Sequence, residues 1–288
     1  MPGTGTGNRM KRHIAILITA AALFTAGPVS SATWYAGASA WAMLWDPGAL
    51  RQYQSALHDS STDITEINRE FAKGTMAGPV LGFRSQNKKW RVRASYLAWG
   101  SFNQDMRAQG YDSINTQDFT VDFDISLARG EFRGSVSYAP SAFIRFFAGY
   151  THQYYTLELE SSYTDGAFSS TWRQEYNAVV YMPAAGVVLC RDLPNGIFLD
   201  LRLGIIYTIP SIDVTMYDIN TGNSTGKRSL RADSGPGFTS EAAAGFRVIR
   251  HVLIRAGYRF ESFRYRWKEG GTTGDTTQGV TLSASLIF

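Results

Sequence analysis

Few residues in this sequence could do acid–base chemistry, and most of the candidates are aspartates in predicted loops. Asp105 and Asp112 lie in one such loop, and Asp213 and Asp218 lie in another. Carboxylates can activate water when a group that titrates near neutral pH, usually histidine, lies beside them. His152 is the best placed of the four histidines, but it stands among tyrosines, where an interface role is the ordinary one. We therefore predict no catalytic site and keep Asp105, Asp218 and His152 as candidates.

Metal and disulfide chemistry have little support in the sequence. Asp59, Asp63 and Glu66 in the first predicted loop, or the Asp213 and Asp218 pair, could offer oxygen ligands to a hard cation. Neither group has the spacing of a calcium-binding loop. Cys190 is the only cysteine, so an intrachain disulfide or a cysteine-rich metal site is excluded. We predict no metal and no cofactor, and we expect Cys190 to be a small buried or lipid-facing residue.

The elements that must position these residues are strands, because apolar and polar residues alternate with a period of two. Residues 279–288 place Val280, Leu282, Leu286 and Phe288 on one face and serine or threonine on the other. Segments 90–98, 199–205 and 252–261 repeat the pattern with charged residues on the polar face. Alternation of this kind is typical of strands that face lipid on one side and a polar lumen on the other.

The whole pattern predicts a single antiparallel transmembrane β-barrel of ten strands. The predicted strands are residues 33–45, 74–86, 89–101, 118–139, 142–160, 172–190, 196–217, 237–249, 252–267 and 276–288. Short periplasmic turns alternate with longer extracellular connections. The apolar residues of 118–139 change phase near residues 128–131, which favours a β-bulge there. A hairpin at the same place would give twelve strands instead.

The N-terminus predicts export. Three basic residues precede an apolar run from Ile14 to Ala26, and small residues follow at 30–32. The run is too short to span a membrane, so we predict a cleaved signal peptide at 1–32 and a barrel domain at 33–288. Removing residues 1–32 takes away three of the 28 basic residues and none of the 24 acidic ones, which leaves a net charge of +1. That balance gives no reason to invoke nucleic acid as a partner. Export together with the predicted barrel predicts a location in a bacterial outer membrane.

The charged residues of the polar faces are predicted to fill the lumen. A ten-strand barrel is little wider than the eight-strand barrels whose side chains fill the interior, so charges of both signs should pair across it. An arginine-lined ion path is the alternative. The predicted lumen charge network is Arg91, Arg93, Asp122, Asp124, Arg145, Asp200, Arg202, Glu241, Arg247, Arg255, Arg259 and Glu261.

The predicted architecture resembles the omptin family of ten-strand outer-membrane proteases, with local similarity in the run from Tyr176 to Gly186 and in Gly226-Lys227-Arg228. The resemblance implies an active site in the extracellular rim, with two aspartates in the second outer loop and an aspartate and a histidine in the fourth. Here the aspartates of the second loop lack the close spacing of that family, and the fourth loop has no histidine.

We therefore expect a non-enzymatic outer-membrane barrel with a narrow charge-filled lumen. Its outer loops should interact with ligands, surfaces or lipopolysaccharide. The alternatives are a narrow channel for small solutes and an omptin-like protease with a rearranged site. The terminal aromatic Phe288 resembles the signal that outer-membrane assembly machinery recognises, so that machinery and outer-membrane lipid are the expected partners.

Overall fold

The computed structural model describes residues 32–48, 50–51, 64–69, 71–112, 117–165, 168–193, 196–218, 223–230, 232–267 and 272–288. The predicted signal peptide lies outside the described residues, except for Ala32. Asp59 and Asp63 of the first predicted loop also lie outside them. No helix in the described ranges is both long and apolar enough to cross a membrane.

The described chain is almost entirely β-structure. Its strands are β1 (Thr33–Asp46), β2 (Ile64–Arg69), β3 (Ala72–Arg84), β4 (Trp90–Asp112), β5 (Gln117–Tyr138), β6 (Ile144–Asp165), β7 (Phe168–Asp192), β8 (Ile197–Asp218), β9 (Asn223–Leu230), β10 (Ala232–Asp233), β11 (Gly235–Ile249), β12 (Val252–Trp267) and β13 (Thr272–Ile287).

Ten of these strands close into one antiparallel barrel. The order around the wall is β1, β3, β4, β5, β6, β7, β8, β11, β12 and β13. The last strand pairs with the first from Tyr35 opposite Ile287 to Asp46 opposite Thr276, so the barrel has no free edge. The ten-strand prediction is confirmed and the twelve-strand alternative is wrong. The other three strands are short: β2 extends the wall beside β4, β9 beside β8, and β10 beside β12.

The two ends of the barrel differ. The short connections at residues 85–89, 139–143, 193–196 and 250–251 lie at one end together with the start of β1 and the end of β13; we call this the turn end. At the other end, the far end, strands continue through much of what the sequence predicted as long connections. β4 runs to Asp112 and β5 begins at Gln117, where the prediction had a connection over residues 102–117.

The half of the barrel nearest the turn end carries an exposed apolar belt. Its outward side chains are large and apolar, which is the arrangement that a membrane-spanning barrel presents to lipid. The belt includes Leu81, Phe146, Leu199, Leu201, Ile205, Phe238, Phe246, Tyr258, Val280, Leu282 and Leu286.

In the far half the pattern is inverted, with apolar side chains inside and polar ones outside. β5 shows the change within one strand: Phe123, Ile125 and Leu127 are buried in the interior, whereas Phe132 and Val136 lie on the outer face nearer the turn end. A barrel wall surrounded by water must bury its apolar side chains inward. Beyond the belt the protein is therefore built like a water-soluble barrel.

This inversion also corrects the predicted bulge. The pairing of β5 with β6 is continuous from Thr120 to Tyr138, so β5 keeps its phase through residues 128–131. The irregularity lies in β4 instead, where the register shifts between Leu97 and Gly100. The apolar residues of β5 changed phase because their surroundings changed from lipid to water, and not because the strand slipped.

An apolar plug fills the far half of the barrel. Its members are almost completely buried: Trp45, Leu50, Met76, Phe102, Ile125, Leu127, Leu157, Leu159, Phe263 and Tyr265. Leu50 reaches it from the segment that follows β1, which is held by a hydrogen bond of 2.6 Å from the Gly48 amide to Asp275. The plug closes the interior at this level.

Candidate functional site

Directly beneath the plug, five charged side chains form a buried layer across the barrel. We call Arg129, Glu131, Arg133, Arg259 and Glu261 the charge layer. The Glu131 carboxylate, only 1% exposed, accepts hydrogen bonds of 3.0 Å from Arg259 and lies 3.3 Å from Arg133 Nε and 3.6 Å from Arg129 Nη2. Glu261 pairs with Arg259 at 2.7 Å and with Arg133. Neighbouring charges of opposite sign offset the cost of burying each of them.

Aromatic rings complete the charge layer. The guanidinium carbon of Arg259 lies 3.8 Å from the centre of the Trp41 ring, and that of Arg129 lies 5.1 Å from the Trp45 ring. Cations over indole faces are stabilised by the ring quadrupole. The lumen is therefore closed by a charge layer that is joined to the apolar plug above it.

Sequence reasoning placed Arg259 and Glu261 in this layer but missed Arg129 and Glu131. Both lie within residues 128–131, where the predicted bulge left the facing of the side chains unassigned. The signal that could have found them is the spacing of Arg129, Glu131 and Arg133, because two-residue steps along an unbroken strand put all three side chains on the same face.

A second network lies nearer the turn end, and its charged members belong to the predicted lumen charge network. Arg255 pairs with Glu241 at 2.5 Å and lies 3.9 Å from Asp200. The guanidinium of Arg202 lies 3.7 Å from the centre of the Phe147 ring. That ring rests against Gly204, where an added Cβ would come within 2.6 Å of it. Glycine at 204 thus leaves room for the ring on which Arg202 stacks.

Between the two networks the described residues enclose a cavity of only about 40 Å³. Its walls include Arg93, Arg133, Arg202 and Arg259, so it lies directly under the charge layer. With the layer and the plug above it, the part of the chain that the structure describes leaves no continuous water path along the lumen.

At the turn end the barrel opens into a larger chamber, which we call the basic cavity. Its volume is about 710 Å³. Nine basic side chains and three acidic ones line it, so positive groups outnumber negative ones by six. These are Arg84, Lys88, Lys89, Arg91, Arg93, Arg145, Arg202, Arg247 and Arg255, with Asp192, Asp200 and Glu241. Cys190 also lines the basic cavity, and so it faces the lumen and not lipid.

Two residues assigned to the lumen are on the outer surface instead. Asp122 and Asp124 are exposed, and Asp122 pairs with Arg107 at 2.6 Å in a bridge whose side chains are both more than half exposed. Their neighbours Phe123 and Ile125 take the inward positions. The assignment was wrong because it assumed the membrane pattern, apolar outside and polar inside, for a part of β5 that lies beyond the belt.

The structure does not bring the catalytic candidates together. The backbone of Asp105 is opposite Asp124, which is opposite Glu160 on β6. His152 lies eight residues back along β6, which at strand spacing is about 26 Å. Asp218 is also far from His152. The backbone of Asp218 is opposite Trp172 on β7, and Trp172 is opposite Ser161 on β6, which lies nine residues from His152.

His152 points out of the barrel and not into it. Its ring stacks on Tyr181 with centroids 5.0 Å apart and meets Tyr154 edge-on at 6.3 Å, which leaves it 8% exposed. Tyr154 in turn hydrogen-bonds the Tyr96 hydroxyl at 2.6 Å. The group forms an aromatic cluster at the far edge of the belt, which is the girdle position expected for a histidine among tyrosines.

Among the described residues no three histidine, cysteine or acidic side chains lie close enough together to hold a metal ion. Asp213 is exposed on β8, and the candidate ligands Asp59 and Asp63 lie outside the described residues.

Neither a scan against protein-family models nor a search of curated proteins finds a match to this sequence. Solved structures do match. The outer membrane protease OmpT from Escherichia coli aligns at a TM-score of 0.53 with 12% identity, over 91% of this chain and 97% of that one. At this identity the match shows a shared fold, and the predicted omptin-like barrel architecture is confirmed at that level.

Other barrels match at lower TM-scores. The translocator domain of the autotransporter NalP from Neisseria meningitidis aligns at 0.42 with 8% identity, over 98% of this chain and 97% of that one. The toluene transporter TodX from Pseudomonas putida aligns at 0.34 with 10% identity, over 91% of this chain and 92% of that one.

Proposed function

We propose that the protein is a non-enzymatic barrel of the bacterial outer membrane, whose far end is a rigid platform for contacts with ligands, surfaces or lipopolysaccharide outside the cell. The observation that carries this proposal is the closed interior: a charge layer and an apolar plug fill the lumen, while the wall continues well beyond the belt. A barrel built in this way supports a surface and does not conduct.

The orientation follows from the two ends. Short turns face the periplasm in outer-membrane barrels and longer structures face outward. The turn end is therefore assigned to the periplasm and the far end to the cell surface. The exposed apolar belt and the predicted signal peptide support the same location.

Contact with lipopolysaccharide is supported by basic side chains just beyond the belt. Arg264 and Arg266 are exposed on β12, on the outer face that carries Tyr258 nearer the turn end. Guanidinium groups at this height can pair with phosphate groups of the outer leaflet.

Electrical recording tests the closed interior directly. Refolded protein inserted into planar bilayers should show no stepwise conductance, and insertion is verified independently by heat-modifiable mobility. Reproducible conductance steps would overturn the proposal and favour the channel.

The enzymatic alternative draws support from the OmpT fold alone. His152 lies on the outer face, and its backbone is far from those of Asp105 and Asp218, so the structure does not bring these three candidates together. A peptide-cleavage screen with added lipopolysaccharide should find no activity. Cleavage that is lost in Asp105→Asn or Asp218→Asn, with the fold retained, would revive the protease.

A further inference from the structure

We propose that the basic cavity is a binding site for a soluble phosphate-bearing anion, which enters from the turn end. This goes beyond the surface role proposed above and depends on it only for the assignment of the turn end to the periplasm. The site would bind its anion whether or not the far end contacts a ligand.

The first support is that the positive charge of the basic cavity is not neutralised from within. Among the described residues, no carboxylate lies within ion-pair distance of Arg84, Arg93, Arg145 or Arg202. The buried Nε atoms of Arg84, Arg145 and Arg202 have no hydrogen-bond partner. An excess of positive charge in a partly dehydrated space is costly, and an anion bound among these guanidinium groups offsets that cost.

The arginines of the charge layer and those of the basic cavity differ in how much open volume they surround. In the charge layer, three arginines share two glutamates, and the open space beside them is only about 40 Å³. In the basic cavity the arginines surround about 710 Å³ of open volume, which lies in the range of small-molecule sites. The same residue type is thus used once to close the lumen and once to line a chamber.

The chemistry of the donors selects phosphate. A guanidinium is planar and offers parallel N–H donors that match two phosphate oxygens, and it keeps its charge at every physiological pH. Arg202 is also held in one orientation by its stacking on Phe147. A fixed donor loses less freedom on binding than a mobile one. An anion with several phosphate oxygens, such as a phosphorylated metabolite or a short polyphosphate, fits this set of donors.

The geometry favours a soluble anion over a lipid headgroup. The lining side chains face the lumen, and the wall around them is closed by continuous strand pairing, including the seam of β1 with β13. A headgroup would have to leave the leaflet and bend around the turn end. A soluble anion reaches the chamber through its open mouth.

Calorimetry provides the first test. Refolded protein in a zwitterionic detergent is titrated with pyrophosphate at low salt. We expect saturable binding near one per chain that weakens steeply with added salt. Arg145→Gln and Arg202→Gln should each weaken it about tenfold, the loss of one charge-assisted contact. The matched control is Arg173→Gln, a half-exposed arginine of the outer wall, which should leave it unchanged.

Two results would overturn the proposal. One is the absence of saturable heat from folded wild-type protein. The other is equal weakening by the Arg173 control, since that would mean diffuse attraction to the whole surface. Heat-modifiable mobility of each variant shows that it is folded, and Lys88→Gln at the mouth of the cavity provides a further variant whose turn position makes misfolding a small risk.

Cys190 gives a second, independent readout, because it is the only cysteine and lines the basic cavity. The wild-type chain is treated with an anionic and a cationic methanethiosulfonate reagent of similar size. The anionic reagent should react about tenfold faster at low salt, a difference that disappears near 1 M salt. Pyrophosphate should slow both reactions. A faster cationic reagent, or no protection, would contradict the proposal.

A final arm separates the two sources of phosphate. The same Cys190 protection is measured in phosphatidylcholine vesicles with and without phosphatidylglycerol, each with and without pyrophosphate. Protection by pyrophosphate in both vesicles supports the soluble anion. Protection that requires phosphatidylglycerol and is unaffected by pyrophosphate would overturn it.

Discussion

Glu131 is a single carboxylate that three guanidinium groups share. Arg129, Arg133 and Arg259 all approach within 3.6 Å of it, in a layer that is largely buried. Removing one partner of a buried ionic group leaves charges uncompensated, which costs more than the pair contributed. Glu131→Ala should therefore lower the free energy of unfolding by about 3–5 kcal/mol. Urea unfolding of the refolded protein in detergent measures it.

The matched control for that variant is Glu158→Ala. Glu158 pairs with Arg173 at 2.6 Å, but both side chains are 41% exposed, and ion pairs exposed to this degree contribute about 0–1 kcal/mol. If the two variants lost equal stability, the charge layer would not be the electrostatic element described above.

Asp275 supplies a pH-dependent contribution in the plug, beyond the belt. Burial raises the pKa of this carboxyl above its ordinary value of 3.8, although the Gly48 amide and Arg129 act in the opposite direction. A carboxyl whose pKa is raised on folding stabilises the fold fully below 3.8, and the contribution is lost as the pH rises through the raised value. The unfolding free energy of wild type relative to Asp275→Asn should therefore fall with rising pH over that window.

Chemical unfolding of both proteins across a pH series checks this difference. The comparison removes the titration of all other groups, since they are common to the two chains. A difference that grew with pH would mean that the hydrogen bonds to Asp275 outweigh its burial, and a constant difference would mean that the two effects balance.

At the residue scale the sequence predicted interior charges well where its assumed environment was right. Arg255, Glu241 and Asp200 were assigned to one network, and the structure pairs them. Asp122 and Asp124 failed because alternation shows that two faces differ but not which face meets water. The open volume of the basic cavity could not be predicted either, since it depends on how side chains from different strands divide the lumen.

At the element scale the ten barrel strands were predictable because each alternates strongly over the belt. Their ends were not. β4 continues eleven residues and β6 five residues beyond the predicted limits, through polar sequences such as Gln109-Gly110 and Ser161-Ser162 that resemble loops. Such residues form strand here because their backbones pair with neighbours already in register, an effect that no local sequence pattern records.

The seam between β1 and β13 depends on the last residue. The Phe288 amide donates to the Trp34 carbonyl at 2.8 Å and its carbonyl accepts from the Trp34 amide at 3.3 Å, while its side chain is 71% exposed in the belt. Phe288→Ser keeps these backbone bonds, so we expect the isolated barrel to refold with nearly unchanged stability. In cells, loss of the aromatic assembly signal should lower the amount of folded protein in the outer membrane.

Fractionated membranes and heat-modifiable mobility measure that amount, with Leu286→Ser as the control for a lost apolar side chain on the same face. An unchanged yield for Phe288→Ser, or an equal loss for both variants, would count against a specific role of the terminal aromatic.

For the whole molecule, the inversion between the two halves means that one kind of substitution has different consequences along a single strand. Ile125 lies in the plug and is completely buried, whereas Val136 lies on the lipid-facing side of β5. Ile125→Ser removes apolar volume from a packed interior and leaves a cavity with an added hydroxyl, so it should cost about 2–5 kcal/mol. Val136→Ser leaves no cavity and should cost only about 1–2 kcal/mol, the transfer of two methyl groups.

The two variants should also separate by assay. Ile125→Ser should lose stability equally in detergent and in lipid vesicles, because the plug contacts neither. Val136→Ser should show only its small loss of stability in detergent and should insert more slowly into vesicles, because the change lies in the apolar belt. Equal behaviour of the two variants in both media would mean that the far half is not a water-soluble barrel built onto a membrane-spanning one.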